Sequence, residues 1–202
     1  MENTDPKFID RLLTVIEKEI VPITRDNTKK GSKLFGGAVL RKDDLSTVLA
    51  ASNEEAVNPL YHGEINSIKK FYEMPRSQRP TAKECIFLTT HEPCPLCLSG
   101  ITWGGFDNFY TLFTYQDSRD DYGIPHDLRI LKEVFKQDAG GYAHENYYWK
   151  CYYIRDLINA CDDEEAKKGF LERVENLKKV YAEVSDNYQK TKETLDMEIP
   201  LP

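Results

Sequence analysis

Apolar residues near the amino terminus recur at the spacing of one face of a helix. Between residues 8 and 20 they lie three or four positions apart, which predicts an amphipathic helix. Thr4 or Asp5 would cap this helix, and Pro6 suits its first turn because the N–H that proline lacks is not needed there. The polar stretch at residues 24–33 breaks the pattern and predicts a linker.

Strand and helix patterns alternate from residue 34 to residue 115. Two short apolar runs flank a Lys-Asp-Asp turn and predict a β-hairpin, and helical segments then alternate with two strongly apolar strands. This alternation predicts an α/β fold with a layered sheet. The predicted strands are 34–41, 46–52, 84–90 and 108–115, and the predicted helices are 63–74 and one within 91–105.

Beyond residue 115 the pattern is less regular. A helix is expected at residues 127–137, whereas the aromatic-rich stretch 140–161 has no clean period and receives no assignment. An apolar seam then predicts a helix of roughly 25 residues, which could pack on its own sheet or form a dimer contact. The seam consists of Phe170, Val174, Leu177, Tyr181, Val184 and Tyr188.

Length and composition indicate a single soluble domain. The 202 residues suffice for one domain, with a core at about 33–115 and an aromatic, helical extension at about 116–202. Apolar residues make up 40% of the chain and charged residues 30%, and no apolar run approaches the roughly 18 residues that a membrane helix needs. The first ten residues resemble no secretion signal, so a cytoplasmic location is expected.

Charge and cysteine content narrow the classes of function further. A formal net charge of −7 argues against nucleic acid as a partner, because nucleic-acid affinity depends largely on lysine and arginine contacts with phosphates. Five unevenly spaced cysteines do not suggest a disulfide framework. The close pair Cys94 and Cys97 instead indicates metal or redox chemistry.

This cysteine pair and one histidine form a candidate metal site. Cys94 and Cys97 lie three apart on a predicted helical turn that Pro93 would begin, so both sulfurs can reach one Zn²⁺ ion. A redox pair or half of a structural zinc knuckle would have the same spacing. No second metal-binding pair completes a four-ligand structural site. His62 is the remaining ligand, and three ligands leave one position open for water, as in catalytic zinc sites.

The two motifs together resemble a known family. His62-Gly63-Glu64 followed by Pro93-Cys94-x-x-Cys97 matches the zinc-deaminase signature, and residues from about Lys33 to Tyr115 resemble the cytidine deaminase-like superfamily. The resemblance implies a three-layer α/β/α sandwich around a mixed central sheet of about five strands, followed by a helical carboxy-terminal extension. It also implies a zinc-dependent enzyme that hydrolyses the C–N bond of a cyclic amidine and releases ammonia. It assigns Glu64 as the general acid and base rather than as a metal ligand.

The same resemblance suggests residues that bind the substrate. It assigns contacts with the base to Asn53, at the end of the second strand, and to Gly63, Trp103 and Tyr115. Asn53 could equally be a turn residue, and Trp103 a core aromatic residue. The longer carboxy-terminal extension could form a lid or an added packing layer. Candidates to line an enlarged pocket are Phe113, Tyr115, Asp117 and His144.

The local sequence leaves the substrate open. The run His-Gly-Glu-Ile resembles fungal cytosine deaminase, whereas Glu-Pro-Cys-Pro-Leu-Cys with the later Ile-Thr-Trp-Gly-Gly resembles bacterial guanine deaminase. A nucleobase, a nucleoside or a related small aminated heterocycle is therefore expected, with a possible homodimer and no membrane partner. The alternatives are a deaminase acting on tRNA or another nucleic acid, and a catalytically silent zinc-binding interaction module.

Overall fold

The computed structural model describes residues 3–138 and 141–194, in which eight α-helices and five strands form. The helices are α1 (Pro6–Val15), α2 (Val21–Thr28), α3 (Gly63–Glu73), α4 (Pro95–Trp103), α5 (Tyr115–Asp120), α6 (His126–Glu133), α7 (Ile154–Asn159) and α8 (Glu164–Thr194). The strands are β1 (Gly36–Arg41), β2 (Thr47–Ser52), β3 (Cys85–His91), β4 (Asn108–Phe113) and β5 (Lys150–Tyr153).

The strands form one mixed sheet in the order β2-β1-β3-β4-β5. Strand β1 runs antiparallel to β2 and β3, whereas β3, β4 and β5 are parallel to one another. Gly36, at the start of β1, is paired with Ser52, at the end of β2. The carboxyl ends of β2, β3 and β4 therefore lie at the same edge of the sheet as the amino end of β1.

Helices cover both faces of this sheet and produce two apolar clusters. On one face α1, α2, α7 and α8 pack over strand residues such as Leu88 and Leu112. On the other face α3 and α4 contribute Phe71 and Ile101, which pack with Phe87 of β3. The prediction of a three-layer α/β/α sandwich with about five strands is confirmed.

The amino-terminal helix begins where the sequence predicts but extends further. Asp5 caps α1, its carboxylate accepting a hydrogen bond from Lys7 N at 2.9 Å, and Pro6 occupies the first turn. A π-helical turn at Ile16–Ile20 joins α1 to α2, so the helix continues to Thr28. The prediction of a linker from residue 24 was wrong for its first residues. The π-helical turn, which is wider than an α-helical turn, precedes Pro22, and proline has no N–H to donate inside a helix.

The stretch that received no assignment contains the fifth strand. Residues Lys150–Tyr153 form β5, which pairs in parallel with β4, and α7 follows directly. A strand of four residues is too short to show a clear alternation in the sequence, and Tyr152 and Tyr153 are only partly buried on its two faces. The region after residue 115 therefore contributes to the sheet as well as to the helical layer.

The apolar seam of α8 packs inside its own chain. All six seam residues are buried, and the helix contacts α1, α2 and α7. Arg173 binds this helix to α1 and the following turn through Asp10 and Glu17, at 2.7 and 2.9 Å. The structure thus favours the first of the two interpretations of the seam, packing against the fold of the same chain.

Replacement of Leu177 by alanine is expected to lower the free energy of unfolding by about 2–5 kcal/mol, because the side chain is fully packed in the layer under α8. Leu171→Ala on the same helix is the matched control, since Leu171 is 41% exposed and should lose less than about 1 kcal/mol. Urea unfolding measures both variants. Equal losses would show that the seam does not pack against the fold in solution.

Candidate active site

The start of α3 is held against the start of β1 by a close approach of two glycines. A Cβ on Gly63 would lie 2.6 Å from Gly36 Cα and 2.9 Å from Phe35 O, so no larger residue fits without moving backbone. Gly63 N also donates a hydrogen bond to Asn53 Oδ1 at 2.6 Å. His62 immediately precedes the helix as its N-cap residue and is thereby fixed at the edge of the sheet.

The start of α4 brings two thiols to the same edge. Cys94 is the N-cap residue, Pro95 is the first helical residue and Cys97 lies in the first turn. The helix therefore starts two residues after Pro93, the proline that the sequence suggested. The reason is that Pro95 fits the first helical position equally well, which leaves Pro93 in the loop that follows β3.

The three predicted metal ligands meet at one point. His62 Nδ1 lies 3.5 Å from Cys94 Sγ and 3.7 Å from Cys97 Sγ, and the two sulfurs are 3.6 Å apart. Tetrahedral zinc with ordinary bond lengths would separate two sulfur ligands by about 3.8 Å and a nitrogen from a sulfur by about 3.5 Å. This donor set fits zinc, and among the described residues it is the one group of this kind that could hold a metal ion.

The electrostatic environment favours a thiolate at Cys94. The hydrogen bond with the Cys97 thiol, followed by the hydrogen bond and charge of His62, holds the pKa of Cys94 well below its usual value despite burial. Burial and the neighbouring Cys94 raise the pKa of Cys97. The start of α4 adds N–H groups and a positive dipole end, which also stabilise negative sulfur. A thiolate is the form of cysteine that binds a metal.

His62 is oriented by contacts on both sides of its ring. Its Nδ1 faces the two sulfurs, and its Nε2 lies 3.9 Å from Glu55 Oε1. Burial alone would lower the pKa of His62, but the hydrogen bond and charge of Cys94 outweigh burial and raise it to about 9. A carboxylate on the far side of a ligating histidine fixes the ring and increases its basicity.

Glu64 places a carboxyl group beside the three donor atoms. The residue is 4% exposed, and its Oε2 lies 3.3 Å from Cys97 Sγ. Burial, followed by the charge of Cys94, raises the pKa of Glu64 to about 7. A carboxyl group with a pKa near neutrality can both accept and release a proton at neutral pH.

A cavity of about 440 Å³ opens onto His62 and Cys94. Most of its wall is apolar, and the polar side chains include Lys33, Glu55 and Asp127. The apolar lining consists of Phe35, Pro59, Leu60, Pro95, Leu96, Ile124, Ile130 and Phe135. This size and this lining are typical of a site for a small organic molecule.

Asp127 is a cavity residue that the sequence did not reveal. It lies in the first turn of α6, and burial, followed by the negative charge of Cys94, raises its pKa well above the usual value. The helical pattern of this segment is visible in the sequence. No local signal indicates that its first turn folds back over the metal ligands, because that depends on the packing of α6 against α4.

Asn53 and Gly63 lie behind the cavity and are not among its lining residues. Asn53 is fully buried, its Oδ1 accepts from Gly63 N, and its Nδ2 donates to Glu55 Oε2 at 3.1 Å. The carbonyl of Gly63 accepts a hydrogen bond from Ser67 Oγ at 2.7 Å. Asn53 and Gly63, both predicted to contact the substrate, therefore form hydrogen bonds with other groups of the protein.

Trp103 and Tyr115 also lie away from the cavity wall. Trp103 is 88% exposed at the far end of α4, nine positions after Cys94 and six after Cys97, with a rise of about 1.5 Å per residue. Tyr115 is buried, and its hydroxyl donates to the carbonyl of Pro93 while its N–H donates to Glu92 at 3.0 Å. Tyr115 thus supports the loop that carries Cys94 and does not face a ligand.

The remaining candidates to line an enlarged pocket contact other parts of the protein. Asp117 caps α5 and forms an ion pair with Arg155, and Phe113 is fully buried. The ring of His144 packs edge-on against Tyr153. None of the three lines the cavity. Its outer wall comes instead from Ile124 and from residues of α6 and the loop after it, up to Phe135.

Comparison with known proteins places these residues in a described family region. Residues 16–113 match the cytidine and deoxycytidylate deaminase zinc-binding region. The chain is 28% identical over 101 residues to a cytosine deaminase of Candida albicans, a match that covers 46% of this chain and 64% of that protein. The chain thus spans slightly less than two thirds of this curated relative.

Solved structures of similar proteins include deaminases for different substrates. The guanine deaminase of Bacillus subtilis has 21% identity and a TM-score of 0.49, over 73% of this chain and 82% of that one. The guanine deaminase of Nitrosomonas europaea has 17% identity and a TM-score of 0.43, over 77% and 80%. A structure from studies of tRNA:A34 deaminases has 17% identity and a TM-score of 0.43, over 50% and 76%.

Purified protein is expected to contain one zinc ion per chain, and Cys97→Ala should contain less than about a tenth of that, because two donors cannot hold the ion firmly. Cys85→Ala is the matched control, since Cys85 is a fully buried free cysteine at the opposite end of β3. Atomic emission spectrometry measures the zinc. Equal zinc in both variants, or none in the unaltered protein, would contradict the proposed ligands.

Proposed function

We propose that this chain, which belongs to the cytidine deaminase-like superfamily, is a zinc-dependent hydrolytic deaminase of a nucleobase or a related aminated heterocycle. One observation carries the proposal. The three donor atoms of His62, Cys94 and Cys97 lie together, the carboxyl group of Glu64 lies 3.3 Å from Cys97 Sγ, and His62 and Cys94 line a small apolar cavity. A purely structural zinc site needs neither the cavity nor the carboxyl group.

His62, Cys94 and Cys97 would hold the zinc ion and leave one side of it toward Glu64. Bound zinc would act as a Lewis acid that makes water available as a nucleophile at neutral pH. The two helix starts contribute backbone N–H groups near the cysteines and restrict their motion. Glu55, on the far side of His62, would keep that ring in its ligating orientation.

Glu64 would move the protons of the reaction. In the overall change a ring carbon loses its amino group and gains a carbonyl oxygen from water, and ammonia leaves. Glu64 would accept a proton from water, pass it to the ring nitrogen next to the reacting carbon, and transfer a second proton to the departing amine. Its burial and its position 3.3 Å from Cys97 Sγ support this role.

The cavity supports a flat heterocyclic substrate. Its apolar lining, which includes Phe35 and Ile130, can contact the faces of a ring. Asp127 lies in the cavity, close enough for Cys94 and His62 to influence its pKa, and could contact the amino group or a ring N–H of the substrate. Cytosine and guanine are the first candidates, and a nucleoside remains a candidate because of the volume of about 440 Å³.

The two alternative functions receive less support. An RNA substrate needs a positively charged surface, whereas the chain has a net charge of −7 and the cavity is mostly apolar. An interaction module does not need Glu64 buried beside an open metal position.

We place the protein in the cytoplasm. No helix within residues 3–138 and 141–194 is long and apolar enough to cross a membrane. A homodimer would use a surface other than the seam of α8.

Glu64→Gln is expected to lower kcat for ammonia release by at least about 10³-fold and to leave the zinc content unchanged, because the amide cannot transfer protons. The assay offers cytosine, guanine, adenine, their nucleosides and related aminated heterocycles to the zinc-loaded protein. Glu73→Gln is the control, since Glu73 lies at the other end of the same helix and forms a 2.9 Å ion pair with Lys69.

An active Glu64→Gln variant would contradict the role of Glu64. A zinc-loaded unaltered protein that releases no ammonia from any of these compounds would instead favour the interaction module.

A further inference from the structure

A buried ion pair forms part of the cavity wall beside the metal ligands. Lys33 Nζ lies 2.9 Å from Glu55 Oε1, and the side chains are only 7% and 2% exposed. Glu55 also approaches His62 Nε2, at 3.9 Å. Both residues of the pair line the cavity together with His62 and Cys94. The cavity wall also includes Asp127 and Ile130 of α6.

The two members of this pair differ in how far their hydrogen-bonding capacity is used. The Glu55 carboxylate accepts from Lys33 Nζ, from Lys33 N at 2.8 Å and from Asn53 Nδ2 at 3.1 Å. A lysine ammonium has three N–H donors, and within the described part of the chain Glu55 is the acceptor recorded for it. Lys33 therefore has donor capacity left at the surface of the cavity.

Stability alone does not explain a charge pair at this position. Removing two charges from water costs several kcal/mol per ion, and a well-packed apolar pair is often at least as stable. The neighbouring cavity wall is apolar, so an apolar pair would be compatible with its surroundings. An ammonium that is held in place and faces a cavity is instead suited to bind an oxygen atom of a ligand.

Asn53, the residue that the family resemblance assigns to the base, is not among the residues that line the cavity. Its amide group is fully buried and is engaged by Gly63 N and Glu55 Oε2. It fixes the carboxylate that in turn fixes Lys33. Lys33, by contrast, is a cavity-lining residue whose side chain carries N–H donors.

We propose that Lys33, positioned by Glu55, is a specificity-determining residue that binds a carbonyl or carboxylate oxygen of the substrate. The substrate class is then an aminated heterocycle that carries such an oxygen elsewhere on the ring. This inference rests on the proposed deaminase function, whose reaction would take place at the amino group, near Glu64. The oxygen and the amino group would be recognised by different parts of the cavity.

Binding of matched compounds tests the inference without turnover. The zinc-loaded Glu64→Gln protein is titrated calorimetrically with cytosine and with 4-aminopyrimidine, which lacks the ring oxygen, and likewise with guanine and 2-aminopurine. A third compound, 4-aminopyrimidine-2-carboxylate, separates a carboxylate from a carbonyl. The oxygen-bearing member of at least one pair is expected to bind at least tenfold more tightly than its partner.

Lys33→Met in the same protein should remove this preference, whereas Lys33→Arg should retain most of it, because arginine keeps the charge and donors. Lys33→Met/Glu55→Gln removes both charges and avoids an unpaired buried carboxylate if the single variant is unstable. Lys70→Met is the matched control, since Lys70 forms a 2.9 Å ion pair with Glu54 outside the cavity. Zinc content and thermal unfolding verify that each variant is folded.

Two results would overturn the inference. One is equal binding, or no binding, of both members of every pair by the protein with Lys33 intact. The other is a preference that survives in Lys33→Met/Glu55→Gln. Failure of the proposed function has a different signature: a Lys33-dependent preference in binding, with no ammonia released by the unaltered enzyme from any compound that binds.

Discussion

The close approach of α3 to β1 is the constraint on which the candidate site depends. Gly63 lies so close to the backbone of Gly36 that a Cβ on Gly63 would come within 2.6 Å of Gly36 Cα and would force the elements apart. Asn53 reinforces the contact by accepting a hydrogen bond from Gly63 N. This contact fixes His62 at the edge of the sheet where β3 ends, and α4 starts at the same edge with Cys94. Two helix starts thereby converge on one point.

The same arrangement concentrates charge in a region with little water. Cys94, His62, Glu64, Glu55 and Lys33 lie within a small, mostly buried volume, and each affects the ionisation or orientation of its neighbours. Burial strengthens these interactions because the local dielectric constant is low. A metal ion would compensate much of the negative charge that the thiolates and carboxylates bring together. The apolar cavity beside them provides space for a ring without introducing further charge.

The sequence was sufficient to predict the parts of this site that depend on local spacing. His62-Gly63-Glu64 and Cys94-x-x-Cys97 each occupy one helix start, so the spacing within each motif determines how its side chains are placed relative to one another. The structure brings the donor atoms of the two motifs together. The first four strands of the mixed sheet and the apolar seam of α8 also followed from periodic patterns. Strand β5 did not, because four residues show too little alternation.

The positions of the predicted substrate residues relative to the cavity depend on long-range packing, which local sequence patterns do not show. Trp103 is exposed, Tyr115 supports the loop before Cys94, and Asn53 holds Glu55. The cavity wall comes instead from Lys33, Glu55 and the first turn of α6, which are distant in sequence from one another. Nothing in the local pattern of Lys33 or Asp127 indicates that these side chains face the metal ligands.

X-ray absorption at the zinc edge of the zinc-loaded full chain tests the assembly of the site most directly. The arrangement of His62, Cys94 and Cys97 predicts two sulfur neighbours at about 2.3 Å and two nitrogen or oxygen neighbours at about 2.0–2.1 Å. One of the two nitrogen or oxygen neighbours is His62, and the other corresponds to the open position that a catalytic site requires. Four sulfur neighbours, or a shell of nitrogen and oxygen alone, would show that zinc binds elsewhere or in a closed structural site, and would contradict this assignment.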